Sequence, residues 1–538
     1  MPESRIQALR RTVARWIAGP AARANVRAYS GARNTRNTLG FGGASTSADG
    51  ELASSLAALR NRSRQLVRDV GYARRARNLV MNNVIGSGMG MQAQVMTTRG
   101  ELRGAVNDAI EAAWCDWAAA DSCHTGGALA FGDLERAALA QVFEAGECFL
   151  RVHPRSFGAS RVPIALELVE AERICDGVAE PGALAPGAEM RMGIEVDQFG
   201  RALALWIRDR QPGDLRGQAA QRAERVPASD VYHLRVITRW PQTRGEPWLH
   251  AVVRKLDDMG ETTQLEITAA RGSAAYFATI TTPEADPGLA DEQEDDGTGV
   301  MALDPLTIQQ LAPGEQLQFH APNRPNAQLD PFMRMMLREV AAGADLSYAS
   351  LSADYSQSNY SSSRLSLLDD RDVWRVMQQW WIRAFRKPFH ARWLQQAVLA
   401  RAVPIPVGEY AADMARFEAV RFKPRGWSWV DPTREVNAYK EAIRGGLTTL
   451  TDVIAATGEG RDLEDFITTR KRELEMLEEA GIEVDTSVPE EVVPPAAAAA
   501  AAAPPEDDED AAQQGKQDPK DAQGQQQAAG RTHLRKAA

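Results

Sequence analysis

The sequence predicts an α+β fold in which helices predominate. Two observations carry this prediction. Apolar residues recur every three or four positions through most of the 538-residue chain, as in amphipathic helices. One internal stretch, beginning near "ECFLRV" and ending at "DVYHLRVI", instead alternates apolar and polar residues, as strands do. At 44% hydrophobic residues, the chain is long enough for about two to four domains with real cores.

Charge is unevenly distributed along the chain. Residues 1–103 contain 17 arginines, no lysine and five acidic residues, an excess of 12 positive charges, although the whole chain carries −10. Such an asymmetry predicts a basic face for a phosphate-rich or acidic partner and an acidic body elsewhere.

Cysteine content and hydropathy indicate the compartment. Four cysteines without a CxxC pair favour a reduced intracellular setting in which disulfides are not needed. No apolar run approaches the roughly 20 residues that span a bilayer, so no membrane partner is expected. The basic, mildly amphipathic start "MPESRIQALRRTVARWIAGP" could imitate a transit peptide, but it lacks the apolar core of a secretory signal.

The first 145 residues divide into an arm and a helical part. Residues 1–50 are rich in Arg, Gly, Ser and Asn without an apolar period, which predicts an extended arm. We expect helix to begin after Ser47 and Asp49 and to run to Val84, where "GSGMG" indicates a turn. Further helical spacing covers 104–145.

The middle of the chain changes pattern several times. After the strand-like stretch, helical spacing from Leu249 predicts a helix reaching about residue 280, on the order of 50 Å long at about 1.5 Å per residue. An acidic loop and a small β-like module, "LTIQQLAPGEQLQFHAPNRP", follow. A second helix is predicted to start at Asp330 and Pro331, since proline is favourable in the first helical turn.

A third, long helix is predicted from about Ser363 to Leu399, with Pro388 kinking or breaking it. The stretch before it, "LSADYSQSNYSSSR", is polar and rich in serine. A last helical group covers 431–480, and the Pro, Ala, acidic and Gln-rich composition of 488–538 predicts disorder.

Several local features could carry chemistry, but each has a simpler explanation. "GSGMG" follows a helix and precedes a strand, the reverse of a nucleotide-binding loop, and no P-loop motif occurs. Cys115, Cys123 and His124 match no familiar zinc spacing, so no metal or other cofactor is expected. An acid/base pair could come from a group of carboxylates that we expect on solvated faces: Glu144, Glu147, Glu167, Glu170 and Glu172.

The polar stretch raises the question of a serine nucleophile. Candidates are Ser356, Ser361, Ser362 and Ser363, but no GxSxG or SxxK motif accompanies them and no histidine is near in sequence. Capping of the following helix by Ser361, Ser362 or Ser363 explains part of the cluster better. We therefore expect a protein that is not an enzyme and has no catalytic residues.

Several strings together resemble one family. They include "LELVEAERICDG", "LAPGEQLQFHAPNRPN", "DPFMRMMLREVAAGADLSYASLSADYSQSNYSSSR" and "WSWVDPTREVNAYKEAIRGGLTTL". From about residue 40 to 481 the chain is similar to the lambda-type portal proteins of tailed bacteriophages. The resemblance implies a portal fold with wing, stem, clip and crown regions, assembled as a ring that is usually a dodecamer.

The resemblance also implies a division of the chain. The expected regions are an arm (1–50), a mixed α+β wing (51–246), a first stem helix (247–282), a clip (283–329), a second stem helix (330–350), a tunnel loop (351–364), a long wing helix and return (365–425), crown helices (426–487) and a disordered tail (488–538).

The implied function is a non-catalytic DNA channel at the portal vertex of the capsid, in the virion and, during assembly, in the host cytoplasm. The implied partners are double-stranded DNA, the terminase large subunit, the major capsid or scaffold protein, and head-completion or tail connector proteins. Another phage head connector or minor capsid protein, or a serine-dependent hydrolase, stays an alternative. The expected DNA-contacting residues of the tunnel loop are Tyr355, Ser356, Gln357, Ser358, Asn359, Tyr360, Ser361, Ser362 and Arg364.

Overall fold

A computed structural model describes the greater part of the chain. It covers residues 45–175, 184–214, 222–275, 278–281, 292–293, 299–300, 316–319, 328–356, 359–427, 432–457 and 463–481. The chain forms two compact units, Met1–Phe466 and Ile467–Ala538. In the part of the chain just given, no helix has both the length and the apolar character needed to cross a bilayer.

The first unit opens with helices around a short strand. Its elements are α1 (Ala48–Asp69), α2 (Gly71–Val84), β1 (Gly90–Ala93), α3 (Gly104–Trp117), α4 (Ala120–Cys123) and α5 (Phe131–Ala145). Ser47 caps α1 by accepting from the Gly50 amide, so helix starts slightly before the predicted end of the arm at residue 50. The predicted single helix to Val84 is wrong in one respect, because Val70 is extended and divides it.

The alternating stretch forms strands, as predicted, and these strands form two antiparallel sheets. Their strands are β2 (Glu147–His153), β3 (Ala165–Val169), β4 (Glu189–Arg191), β5 (Ile194–Val196), β6 (Ala202–Arg208), β7 (Ala223–Pro227) and β8 (Val231–Arg235). One sheet has the order β3-β2-β8 and the other β4-β5-β6-β7. Cys148 and Leu150 pack into a helical core, whereas Phe149 packs into a second core between the sheets. β2 therefore separates two cores through its alternation.

Two helices flank a small group of strands. They are α6 (Val253–Ala275), β9 (Ala278–Thr281), β10 (Glu292–Gln293), β11 (Gly299–Val300), β12 (Gln316–Phe319) and α7 (Leu329–Gly343). β9 pairs with β12 and β10 pairs with β11, both antiparallel. The predicted strand-like string "LTIQQ" lies outside the described residues.

Both flanking helices are shorter than predicted. Residues 247–252 form hydrogen-bonded turns after Pro247, and 278–281 are extended, because the β-branched run at 279–282 favours strand. α7 ends at Gly343 rather than near 350, since Asp345 adopts a left-handed conformation (φ 53°). Val252 just before α6, Leu256 in its first turn and Val340 near the end of α7 are buried. Leu265, farther along α6, is 69% exposed. The helices thus pair antiparallel near the core.

The C-terminal part is again mostly helical. Its elements are α8 (Tyr348–Ser352), α9 (Tyr360–Trp381), a π turn (Ile382–Arg386), α10 (Lys387–Leu399), α11 (Val407–Ala412), α12 (Met414–Phe417), β13 (Val420–Lys423), α13 (Pro432–Arg444), α14 (Leu450–Thr457) and α15 (Leu463–Glu479). β13 pairs with β1. The helical group predicted from 431 to 480 is confirmed where it is described.

The long third helix passes Pro388 without a break. Lys387 N–H donates to the Ile382 carbonyl, five residues back, so the chain widens into a π turn just before the proline. This turn accommodates a residue that lacks an N–H and would crowd the preceding turn. Aromatic side chains from α3, α5 and the π turn and α10 pack together around it: Trp114, Trp117, Phe131, Phe385, Phe389 and Trp393.

Candidate functional site

The predicted polar loop lies between α7 and α9 and is more structured than expected. It contains the short helix α8, which Ser347 caps by accepting from the Ser350 amide at 3.2 Å. Ala353 then adopts a left-handed conformation (φ 56°) and ends α8. We call residues 347–364 the serine segment.

Asp370 on α9 anchors the beginning of the serine segment. Its buried carboxylate accepts from the Ser347 amide and the Ser347 hydroxyl, each at 2.7 Å, and from the Ser350 hydroxyl. From the other side, Arg75 on α2 donates to the Ser350 carbonyl at 2.8 Å. These serines therefore attach the segment to the wall of the core, because their hydroxyls satisfy a buried charge.

Asp354 organises the middle of the serine segment. Its carboxylate accepts from the Ser356 hydroxyl at 2.6 Å, the Ser356 amide at 3.0 Å and the Tyr348 hydroxyl at 3.0 Å. These hydrogen bonds, that of the Ser356 hydroxyl first, lower the pKa of Asp354 to about 2. Asp354 therefore stays ionised and is a weak base.

The end of the serine segment is helical, which corrects the expected loop. Asn359 caps α9 by accepting from the Ser362 amide at 2.8 Å, while the Ser362 hydroxyl lies 3.1 Å from the Asn359 amide. A serine hydroxyl does accept a backbone N–H here, as predicted, but the N-cap is Asn359 and Ser362 is the N3 residue of the capping box. Ser361, Ser362 and Arg364 lie on the first turns of α9.

Five of the predicted DNA-contacting residues have side chains exposed to solvent. Tyr355 is 57% exposed, and Ser356, Asn359, Ser361 and Ser362 are also exposed. Gln357, Ser358 and the side chain of Tyr360 lie outside the described residues.

Arg364, the only cation among the predicted DNA-contacting residues, is only partly accessible to solvent. It is half-buried and lies 3.4 Å from the Glu435 carboxylate on α13. This ion pair links the start of α9 to a helix from the last part of the unit, and it reduces the positive charge that the segment presents.

The serine-nucleophile hypothesis gains no support from this geometry. The Ser356 hydroxyl donates to Asp354, and the Ser362 hydroxyl lies within a capping box. A nucleophilic serine needs a general base with a pKa near the working pH. The lowered pKa of Asp354 makes it unsuited to that role.

Sequence reasoning missed a buried ionic centre at Glu147. This carboxylate has no solvent exposure, which contradicts the expected solvated face. It accepts from Arg244 Nε at 2.8 Å, from His233 Nε2 at 2.8 Å, from the Gly245 amide at 3.0 Å and from Arg60. Burial acts to raise the pKa of Glu147, but Arg244, His233 and Arg60 outweigh it and hold the pKa far below its usual range.

The Glu147 centre joins α1, β2, β8 and the loop before α6. His233 is neutral in this arrangement, because Arg235 donates to its Nδ1 at 2.7 Å. A Cβ at Gly245 would lie 2.1 Å from the Gly146 carbonyl oxygen, so only glycine lets the loop approach β2. A signal for this burial was present in the sequence: Glu147 lies two residues before Phe149 on β2, and residues two apart lie on the same face of a strand.

The other carboxylates considered for acid/base chemistry form ordinary ion pairs and hydrogen bonds. Glu144 pairs with Arg77 at 2.7 Å, and Glu172 accepts from Arg64 at 2.9 Å. Glu167 contacts both His153 and Arg173, and Glu170 accepts from Gln211. Within the described ranges, no cluster of three or more His, Cys, Asp or Glu residues could hold a metal ion.

Comparison with known proteins gives one family. The model described as phage portal protein, lambda family, matches residues 34–378. The "Probable portal protein" of Halomonas phage phiHAP-1 is 26% identical over 469 residues, covering 85% of this chain and 88% of that protein. "Portal protein B" of Escherichia phage lambda is 23% identical over 509 residues, covering 87% and 93% respectively.

Two solved structures are also similar. A chain of "Virion of native gene transfer agent (GTA) particle" aligns with a TM-score of 0.40 and 12% identity, covering 75% of this chain and 94% of that chain. An HK97 family phage portal protein from Corynebacterium diphtheriae aligns with a TM-score of 0.32 and 12% identity, covering 70% and 98%.

Proposed function

The chain belongs to the lambda family of phage portal proteins, and from this premise we propose that its copies assemble into a ring whose central channel conducts double-stranded DNA. The observation that carries the proposal is the serial order within the family match: helix, paired strands, helix and then the serine segment. In this proposal α6 and α7 are the stem, β9–β12 belong to the clip, and α13–α15 are the crown. The sheets and the α9–α10 helix form the wing.

We propose that the exposed part of the serine segment faces the channel. DNA carries about one negative charge per 1.7 Å of its axis, so a ring of unpaired cations would hold the duplex and slow its passage. Here Arg364 pairs with Glu435, and the ionised carboxylate of Asp354 lies 3.8 Å from Arg334 Nε, so each of these charges has a counter-charge. The hydroxyl of Tyr355 and the side-chain NH2 of Asn359 can still donate hydrogen bonds to phosphates, whereas the Ser356 hydroxyl donates to Asp354. The low net charge of the serine segment supports the proposal that it contacts DNA weakly and repeatedly.

The proposed role is structural, without catalysis. At the portal vertex the ring would receive the terminase large subunit during packaging, in the host cytoplasm. Head-completion or tail connector proteins would bind afterwards, and the ring would remain in the virion beside the major capsid or scaffold protein. Twelve copies per ring is the number that we propose.

Imaging tests the ring directly. The full chain, purified at high concentration, is expected to give rings in negative stain, with a central opening of at least about 20 Å, enough for a duplex. Class averages also give the number of subunits. A chain that stays a compact monomer at every concentration, while still folded by circular dichroism, would overturn the proposal.

A further inference from the structure

An open cavity at the junction of α1 and α2 is lined by four arginines. Its volume is about 260 Å³. The lining consists of Arg64, Arg68, Arg74 and Arg77, together with Val67 and Glu144. We call it the arginine cavity.

The break at Val70 creates the arginine cavity. Val70 is extended (φ −109°, ψ 119°), so α1 ends at Asp69 and α2 starts in a new direction at Gly71. Residues four apart on α1 and three apart on α2 lie on one face of each helix. Both faces therefore present two guanidinium groups to the same opening.

Two of the four arginines are held in place by carboxylates. Arg77 Nη1 lies 2.7 Å from Glu144, and the Arg77 side chain is 27% exposed. Arg64 Nη2 donates to Glu172 at 2.9 Å. A guanidinium group has five N–H donors, so each of these side chains keeps donors for a further acceptor.

The other two arginines are available to a ligand. The Arg68 side chain is 74% exposed and, among the residues that the structure describes, pairs only with its exposed neighbour Asp69, at 2.9 Å. Such surface pairs contribute little and exchange readily with another anion. Arg74 is exposed, and no carboxylate pairs with it among the side chains that the structure describes.

We propose that the arginine cavity binds a phosphate group, with Arg68 and Arg74 contacting the oxygens and Arg64 and Arg77 donating further hydrogen bonds from the N–H groups that their carboxylate partners leave free. Planar guanidinium groups fit phosphate oxygens in pairs, which a single ammonium group cannot do. The phosphate is either a phosphodiester of DNA or free inorganic phosphate, since both offer the same oxygens. This site is separate from the serine segment and does not depend on which residues face the channel.

The test uses the full chain with both Arg68→Gln and Arg74→Gln. Its control is a double variant, Arg62→Gln with Arg99→Gln, which removes two exposed arginines outside the cavity. Binding of a labelled duplex is followed by fluorescence anisotropy over a range of salt concentrations. Each phosphate contact adds about 0.9 to the slope of log K against log salt, so losing two should reduce the slope by about 1.8. The control is expected to change the slope by less than half as much.

A second arm measures stabilisation against heat by inorganic phosphate at constant ionic strength. If the cavity variant loses this stabilisation but binds duplex like the control, the ligand is free phosphate rather than DNA. If both double variants behave alike in both arms, the proposal is overturned. Ring formation by negative stain is followed in parallel, so that failure here is distinguished from failure to assemble.

Discussion

The carboxylate of Glu135 and the guanidinium of Arg386 form a bidentate ion pair inside the protein, with distances of 2.7 Å (Nε–Oε1) and 2.6 Å (Nη2–Oε2). Both residues are buried. Trp381 Nε1 donates to the same carboxylate at 3.0 Å, and Arg386 Nη1 donates to the Met89 carbonyl at 2.7 Å. The pair fastens the π turn to α5 and to the chain before β1.

Breaking this pair should be costly. Glu135→Gln leaves the Arg386 charge buried without its counter-charge, so the free energy of unfolding should fall by about 3–5 kcal/mol in urea titrations. Asp372→Asn is the control, because the Asp372–Arg375 pair on α9 is exposed and should matter by less than about 1 kcal/mol. Equal effects of the two substitutions would contradict the structural role of the buried pair.

Stability should decrease in mild acid because of two buried histidines. Burial, with the Arg386 charge adding to it, lowers the pKa of His390 to about 4, and burial followed by Arg235 does the same for His233. The unfolded chain binds these protons near pH 6.5. The free energy of unfolding should therefore fall as the pH drops from about 6.5 to 4, by up to about 1.4 kcal/mol per pH unit for each histidine.

His390→Phe isolates the contribution of His390. This ring packs among Trp114, Trp393 and Phe422, so phenylalanine fits an apolar site. The variant should match or exceed the wild-type stability at pH 5 and show a slope smaller by about 1.4 kcal/mol per pH unit. An unchanged slope between pH 6.5 and 5 would show that His390 titrates normally.

The pairing of α6 and α7 depends on a glycine. A Cβ at Gly343 would lie 2.4 Å from Val252 Cγ1, so Gly343→Ala should destabilise the protein by about 1–3 kcal/mol. Adding Val252→Ala should restore part of the loss. Gly260→Ala on α6 is the control, since a Cβ there meets no atom within 4 Å and should stabilise the helix by about 0.5–1 kcal/mol. Thermal unfolding of the three variants separates crowding from helix propensity.

Anchoring of the serine segment should depend on Asp370. Asp370→Asn weakens the bonds from Ser347 and Ser350, so amide hydrogen exchange of residues 347–352 should accelerate about tenfold or more. Asp369→Asn, at an exposed neighbouring position, is the control and should leave exchange unchanged. Equal protection in the two variants would mean that the segment is held by other contacts.

Helices and strands were predictable where one face is buried. The alternation of apolar residues in β2 and their three-to-four spacing in α3, α5 and α9 indicate which face of each element is buried. Helix ends were less predictable. Gly71, directly after Val70, is a helix-stop signal that the helical spacing on both sides outweighed. Gly343 ends its helix next to Val252, a partner about 90 positions away in the chain.

The serine segment was located correctly, but its local structure was not. Asparagine and serine cap helices about equally well, so the sequence alone could not choose Asn359 over the serines that follow. Glu135, Glu147 and Asp370 were missed as buried groups for a related reason. A carboxylate is expected in solvent unless a partner for it is known. The partners here are Arg386 for Glu135, Arg244 for Glu147 and Ser347 for Asp370, and each lies outside the element that contains its carboxylate.

The most direct test of the proposed channel is the position of Tyr355 in the assembled ring. Tyr355→Cys in a Cys115→Ser background offers one exposed thiol among the described residues, because Cys123, Cys148 and Cys175 are buried. A small gold cluster coupled to it should appear on the ring axis in end-on images, whereas gold on the native Cys115 should lie away from the axis. Gold at Tyr355→Cys on the outer rim of well-formed rings would contradict the account.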